Sequence, residues 1–263
     1  MVLELKNIRM TYSSAHKKSS ENIDLLNGVD LMVEKGKVTA LIGGNGAGKT
    51  TLFNIISGFE KDYKGRVLLD REDISKLPAH RIAQKGIGRL FQGRQLSEDL
   101  TLLENMKIAS DDTMGEHPWD LFRYWRVAKR EAEKEKQAKD ILNRLFGAEN
   151  KYLGLLHQKS SRLSYGEQRL MAMARLLMGN NDLLLLDEPT SGVNPAFFET
   201  SRDLIRIMVE KEGKTILLIE HNMDFVHNVA DYCCYLADGR IIKGGTVQEV
   251  LDDPVIRKDY LGL

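Results

Sequence analysis

Polar and apolar residues alternate through residues 2–12, with Leu3 and Leu5 on one face and Val2, Glu4 and Lys6 on the other, the period of a half-buried strand. Residues 13–22 are polar and read as a loop. Apolar runs at 25–33 and 38–42 flank Glu34-Lys35-Gly36-Lys37, which predicts a hairpin-like turn; a further strand, 66–69, follows Lys64-Gly65. The spacing then becomes helical. One helix begins over 78–85, and a long one spans 119–146 without Gly or Pro. Its densely charged centre places Glu131–Lys134, Glu133–Lys136 and Glu135–Lys139 as neighbours of opposite sign on a solvated face. Residues 183–186 and 215–219 are short unbroken apolar runs, as parallel strands covered on both faces require. Residues 233–237 and 240–243 form a hairpin turned at Asp238-Gly239. Strands alternating with helices after a β-rich start predict an α/β fold.

Composition narrows the functional classes. The chain has 263 residues, which predicts one large domain or one domain with a subdomain. Lys and Arg number 38 against 38 Asp and Glu, so no basic surface points to nonspecific nucleic-acid binding, and no nucleic-acid partner is expected. Apolar residues at 42% and charged residues at 29% argue for a folded core rather than disorder. No apolar stretch approaches the roughly 18 residues of a membrane span. Met1-Val2-Leu3-Glu4-Leu5-Lys6 lacks the apolar run of a signal peptide. Cys233 and Cys234 are adjacent, so a strand points them to opposite faces, and they read as two small apolar residues in a reducing cytosol.

The candidate chemistry begins at Gly43-Gly44-Asn45-Gly46-Ala47-Gly48-Lys49-Thr50, which fits G-x-x-x-x-G-K-[ST]. An apolar strand, 38–42, precedes it and a helical pattern, 51–57, follows, so Thr51 opens the helix. The glycines let backbone N–H groups turn inward around phosphate oxygens, and the helix N-terminus adds its positive end. Lys49 is expected to reach the β- and γ-phosphates of a nucleotide, and the Thr50 hydroxyl to ligate Mg²⁺. Asp187-Glu188 closes the apolar strand 183–186. Asp187 is the candidate for the metal shell, directly or through water. Glu188, pointing elsewhere, is the candidate base that polarises a water at the γ-phosphate.

The interval from Lys49 to Asp187 is longer than small P-loop kinases or GTPases use. Within it lies Leu163-Ser164-Tyr165-Gly166-Glu167, which resembles the signature motif of ATP-binding-cassette (ABC) ATPases, usually Leu-Ser-Gly-Gly-Gln. Phe91-Gln92 is similar to their Q-loop, Ser191-Gly192-Val193-Asn194-Pro195 to their D-loop, and Glu220-His221 to their switch histidine. All follow the phosphate loop in family order, and the resemblance covers the whole chain. It implies a P-loop NTPase core with an antiparallel β-subdomain and a helical subdomain. Residues 1–263 then form a single ABC ATPase domain, with 1–92 and 179–263 the nucleotide-binding core and β-subdomain, and 93–178 the helical part. It implies ATP and Mg²⁺ as cofactors, Gln92 reaching Mg²⁺ and the attacking water, His221 contacting the γ-phosphate, and Tyr12 stacking on adenine. Ser164 and the Gly166 backbone, opening a helix over 167–178, would form an anion site for the γ-phosphate of another subunit. One chain carries one phosphate loop and one signature, so each composite site needs a second ABC subunit, identical or paralogous.

Four positions depart from the family pattern: Gly44 for Pro, Tyr165 for Gly, Glu167 for Gln and Asn194 for Asp. None removes a group that hydrolysis requires. Tyr165, Ile219-Glu220-His221-Asn222-Met223, the ending Tyr260-Leu261-Gly262 and an insertion over 114–136 are most similar to branched-chain amino-acid importer ATPases. Lipopolysaccharide-export ATPases share the ending and are the alternative. The implied protein is a cytoplasmic ATP hydrolase, peripheral on the inner face of the membrane, that drives separate transmembrane permease subunits. The permease is expected to dock on 92–108, with Leu96, Leu100, Leu102 and Leu103 either its apolar contacts or subdomain core. Soluble ABC ATPases of repair or translation carry long coiled coils or paired cassettes, which are absent here. A P-loop kinase would lack the signature, and an inactive module would not need Lys49, Asp187, Glu188 and His221.

Overall fold

The alternating segments at the start form β1 (Leu3–Ser13) and β2 (Asn22–Val33), paired antiparallel from Leu3 opposite Val33 to Ser13 opposite Asn22. The structure, a computed structural model, describes residues 2–13, 22–93, 96–110, 124–194 and 197–258. Most of the expected loop after β1, residues 114–123 of the insertion, and Tyr260-Leu261-Gly262 lie outside the described residues. A bulge at Lys6 and Asn7 moves the buried face of β1 from Leu3 and Leu5 to Ile8 and Met10. Asn7 takes φ 51° there and donates its N–H to Asp30 Oδ1 at 2.8 Å.

The chain then turns into β3 (Val38–Ile42), but β3 is not the hairpin partner of β2. β2 stays in a four-stranded antiparallel sheet, ordered β2-β1-β4-β5, with β4 at Lys64–Leu69 and β5 at Glu72–Asp73. The burial patterns explain the parting. β3 is buried at all five positions and needs cover on both faces, whereas β2 alternates and needs it on one.

β3 sits in a six-stranded sheet ordered β10-β9-β3-β8-β7-β6. Its other members are β6 (Ile87–Leu90), β7 (Leu183–Asp187), β8 (Thr215–Ile219), β9 (Tyr232–Ala237) and β10 (Arg240–Gly245). All pairings are parallel except β9–β10, which the Asp238-Gly239 turn joins as its pattern predicts. Helices connect the parallel strands: α1 (Lys49–Ile56) follows β3, and α2 (Ala79–Gln84) precedes β6. Between β6 and β7 come α3 (Leu102–Lys107), α4 (Tyr124–Phe146), α5 (Lys151–Leu155) and α6 (Tyr165–Arg175). α7 (Phe198–Glu210) links β7 to β8, α8 (Met223–Val229) links β8 to β9, and α9 (Val247–Leu251) and α10 (Pro254–Ile256) follow β10.

Alternate residues of the central strands feed two cores. Leu184, Leu186, Ile216 and Leu218 pack with the helices between β6 and β7. Leu183, Leu185, Leu217 and Ile219 pack with Leu52, Phe53, Ile55 and Ile56 of α1 and the inner face of the antiparallel sheet. Leu96, Leu102 and Leu103 are buried in the first core, and Leu100 is half-buried. Of the two expectations for this segment, Leu96, Leu102 and Leu103 follow the second and are subdomain core. On α4, Glu135 pairs with Lys139 at 2.7 Å as expected, but Glu131 reaches Lys107 of α3 at 2.7 Å. Cys233 and Cys234 are free thiols buried in different cores, and burial pushes both up to about 12, which leaves them unreactive.

Candidate active site

β3, β8, β7 and β6 are consecutive neighbours running parallel, so the loops leaving their carboxyl ends lie side by side. Those loops carry the phosphate loop, Glu220-His221, Asp187-Glu188 and Phe91-Gln92 respectively. Ligands of open α/β sheets bind at this edge.

Two phosphate-loop glycines are sterically required. A Cβ on Gly43 would stand 2.2 Å from the Leu236 carbonyl oxygen, and one on Gly48, at φ 100°, 2.7 Å from Leu26 Cδ2. Open space surrounds Gly44 where a side chain would stand, so the loop closes without the family's proline. α1 begins at Lys49, earlier than the 51–57 pattern places it, and its N-cap, Gly48, offers no side-chain hydrogen bond. The first-turn N–H groups are thus not satisfied by a side-chain cap, as a phosphate site at a helix N-terminus requires. Lys49 Nζ donates to the carbonyls of Gly43 at 2.6 Å and Gly44 at 2.9 Å. Burial pushes its ammonium pKa down, against the upward pull of Glu188 and Asp187. A cleft of ≈ 220 Å³ joins Asn45, Gly46, Lys49, Thr50 and Thr51 to Glu188 and His221, with Leu25 of β2 as an aliphatic wall. Ala47 turns toward the core, its N–H donating to Gly44 O at 3.3 Å.

Asp187 ends β7 at 1% exposure. Arg89 of β6 approaches its Oδ2 at 3.4 Å, while Oδ1 is buried with no hydrogen-bond partner among the described residues. Burial raises the Asp187 carboxyl pKa, opposed by Arg89 and reinforced by Glu188. That open carboxylate oxygen and the exposed Thr50 hydroxyl are hard oxygen donors, and they fit Mg²⁺.

Glu188 takes φ 47°, a left-handed conformation that costs a non-glycine residue about 1–2 kcal/mol. Its N–H bonds Ile219 O at 2.9 Å and its carbonyl accepts from Ser191 N–H at 3.1 Å. The side chain lies where Oε2 accepts from Gln92 Nε2 at 2.9 Å and Oε1 sits 3.2 Å from His221 Nε2. Three residues from three strand ends thereby form one cluster. Buried Glu220 braces it: its carboxylate accepts the N–H groups of His221 at 2.9 Å and Thr190 at 2.9 Å. Sequence reasoning gave Glu220 no role, although a carboxylate closing a wholly apolar strand is a usable signal. Arg169 of α6, also unremarked in the sequence, bonds the backbone around both Gln92 and Glu188.

The signature segment lies apart from this cleft, which neither Ser164 nor Gly166 lines. Ser164 caps α6 in a capping box: its Oγ accepts from Glu167 N–H at 3.4 Å, and Glu167 Oε2 accepts from Ser164 N–H at 2.8 Å. The box sets the helix start at Tyr165 rather than 167, and α6 ends at Arg175 before a 3₁₀ turn, Leu176–Met178. Glu167 also pairs with Lys151. Burial raises the Glu167 pKa, but Lys151 and the bonds from Ser164 outweigh it and hold the carboxyl below its ordinary value. Gly166 lies under Phe197, where a Cβ would meet the ring at 2.9 Å, and Tyr165 abuts Gly192. The signature and D-loop are therefore contiguous; Pro195 lies outside the described residues. Tyr12 stands on β1 opposite Ile23, and its side chain also lies outside them.

Comparisons with known proteins bear on the chain as a whole. A family profile described as ABC transporter matches residues 26–191. The high-affinity branched-chain amino acid transport ATP-binding protein BraF of Pseudomonas aeruginosa is 35% identical over 90% of this chain and 91% of its own. A probable branched-chain amino acid transport ATP-binding protein, LivG of Archaeoglobus fulgidus, is 36% identical over 93% of this chain and 92% of its own. A solved nucleotide-free ATP-binding cassette from an ABC transporter superposes with a TM-score of 0.79 at 32% identity, covering 100% of this chain and 99% of that one. Phosphate loop, paired carboxylates, glutamine and histidine on adjacent strand ends, with these likenesses across the chain, lead to one conclusion: the protein belongs to the ABC transporter ATP-binding family and is an ATP-hydrolysing subunit of that type.

Proposed function

We propose that the chain hydrolyses Mg²⁺-bound ATP at a site completed by a second ABC subunit, and that this cycle drives branched-chain amino acid import through a separate permease. The observation that carries the reading is the Gln92–Glu188–His221 cluster beside the phosphate loop. Lys49 exchanges the carbonyls of Gly43 and Gly44 for the β- and γ-phosphates, aided by the first-turn N–H groups of α1. Thr50 and Asp187 would hold Mg²⁺, which would offset phosphate charge when bound. Glu188 accepts the proton of the attacking water, while Gln92 and His221 fix that carboxylate and orient the water. The positive end of α6 with Ser164 and Gly166 serves the nucleotide of the other subunit; dimeric cassettes among the solved relatives support this.

The names of the relatives support the amino-acid cargo. Among the described residues no helix is long and apolar enough to cross a membrane, so attachment at the inner membrane face falls to the permease. We place the helical subdomain at 93–178, and the permease contact beside it. Phe59 and Phe91 are exposed at 61% and 40% and meet edge to face at 5.4 Å. Phe91 precedes Gln92, so a partner bearing on this pair touches the residue next to the cluster. Membrane fractionation with co-expressed permease tests the reading. Phe59→Glu and Phe91→Glu are expected to release the chain while ATP binding persists. A chain that stays off the membrane with every neighbouring permease refutes the transporter role.

A further inference from the structure

Arg169 is 3% exposed. Its guanidinium is satisfied by main-chain carbonyls on two separate segments. Nη1 donates to Phe91 O at 2.8 Å and Gly93 O at 2.9 Å. Nη2 donates to Asp187 O at 2.6 Å and Glu188 O at 2.8 Å, and Nε reaches Pro189 O at 3.4 Å. The first pair of carbonyls flanks Gln92. The other three span the residue that carries the candidate base.

This arrangement is specific to arginine. A buried cation is tolerated only when its donors are satisfied, and the planar guanidinium offers five donors in fixed directions. A lysine has three donors on one flexible point and cannot serve both segments in the same geometry. The segments bridged belong to different strand ends, β6 and β7, whose side chains Gln92 and Glu188 meet at 2.9 Å. Arg169 touches neither side chain and no phosphate-loop residue in any of these bonds. It sits on α6, the helix that Ser164 caps.

We propose that Arg169 is a positioning residue for hydrolysis: it sets Gln92 and Glu188 against each other by gripping the backbone on either side of both, and ties that pair to α6. The proposal rests on reading Glu188 as the base, because its effect on rate is exerted through that carboxylate. A displacement of about 1 Å at a reacting group costs on the order of 10²-fold in rate. Loosening the grip should therefore lower turnover without altering nucleotide binding.

The test is single-turnover hydrolysis of radiolabelled ATP, with nucleotide titration alongside, on the full chain carrying Arg169→Lys, Glu188→Gln or both. Arg169→Lys is expected to lower the hydrolysis rate by about 10²-fold with ATP affinity unchanged. The double variant is expected to be no slower than Glu188→Gln alone, because a residue acting through Glu188 has nothing left to position. Arg169→Met, which removes all five donors, should be at least as slow as the lysine variant. A wild-type rate in Arg169→Lys overturns the proposal. So does a double variant slower by the product of the two single effects. Loss of ATP binding in both Arg169 variants would make the residue a general folding brace and would also overturn it. A wild-type rate in Glu188→Gln is a separate outcome: it removes Glu188 as base, and the positioning role with it.

Discussion

Arg89→Met isolates what one buried cation does for Asp187, the candidate metal-site carboxylate. Arg89 and Asp187 are 6% and 1% exposed at the side chain, and their closest approach is 3.4 Å. The shorter bonds of Arg89 go to Asn54 Oδ1 and Ser57 Oγ, both at 2.8 Å, and its guanidinium lies 4.5 Å from the Phe91 ring centroid. Methionine keeps much of the apolar stem volume but leaves Asp187 buried without this cation. Removing one partner of a buried pair costs about 3–5 kcal/mol. The separation exceeds the ~2.7–2.9 Å of a strong charge-assisted bond, and Ser57 keeps its bond to Phe53 O at 2.6 Å. The lower end, about 3 kcal/mol, is therefore expected near neutral pH. The sign with pH also follows. Burial already holds the Asp187 pKa above its unfolded value, and losing Arg89 raises it further. A carboxyl with a raised folded pKa favours the fold below its unfolded pKa and loses that contribution as pH rises through the folded one. The gap between wild type and variant should therefore narrow on acidification. Urea unfolding followed by circular dichroism, near neutral pH and at mildly acidic pH, reads both quantities. Arg89→Met/Asp187→Asn should recover most of the loss. A gap under about 1 kcal/mol, or one that widens on acidification, refutes the reasoning.

Three further outcomes are expected. Lys49→Ala should abolish ATP binding in a nucleotide titration, because the phosphates lose their main cation; wild-type affinity contradicts the phosphate-loop assignment. Glu188→Gln should keep ATP binding and lose about 10²–10⁴-fold in steady-state hydrolysis, the usual worth of a base; a rate near wild type removes Glu188 from that role. Glu167→Gln should destabilise the fold only where the carboxylate is ionised. Its folded pKa is depressed, so its contribution is full above the unfolded value of about 4.3 and disappears as pH falls through the folded value. A difference in unfolding midpoint that persists unchanged at lower pH argues against the Lys151 pair as its source.

The elements legible in the sequence were those whose chemistry is contiguous. The phosphate loop, Asp187-Glu188 and Glu220-His221 each follow an apolar run, so strand, turn and side chain are read in one window. The Glu34-Lys35-Gly36-Lys37 turn misled because turn residues report a reversal and not which sheet the next strand joins; the full burial of β3 decides that. The leucines at 96, 102 and 103 have no period that separates core from docking surface, and only their packing with β7 and β8 does so. Arg169 was hidden for another reason: its partners are carbonyls, which every residue has. Arg89 left a fainter trace, a cation inside the apolar run of β6.

The central claim is that hydrolysis occurs at a site shared by two subunits. Light scattering behind size exclusion on Glu188→Gln with ATP and Mg²⁺ tests it most directly, since blocked hydrolysis holds the closed state. With ATP the variant should run at twice its 29.8 kDa chain mass alone, or at the sum of the two chain masses when paired with a neighbouring cassette, and revert without nucleotide. A species that binds ATP yet remains at 29.8 kDa, both alone and with every neighbouring cassette and permease present, contradicts the shared site.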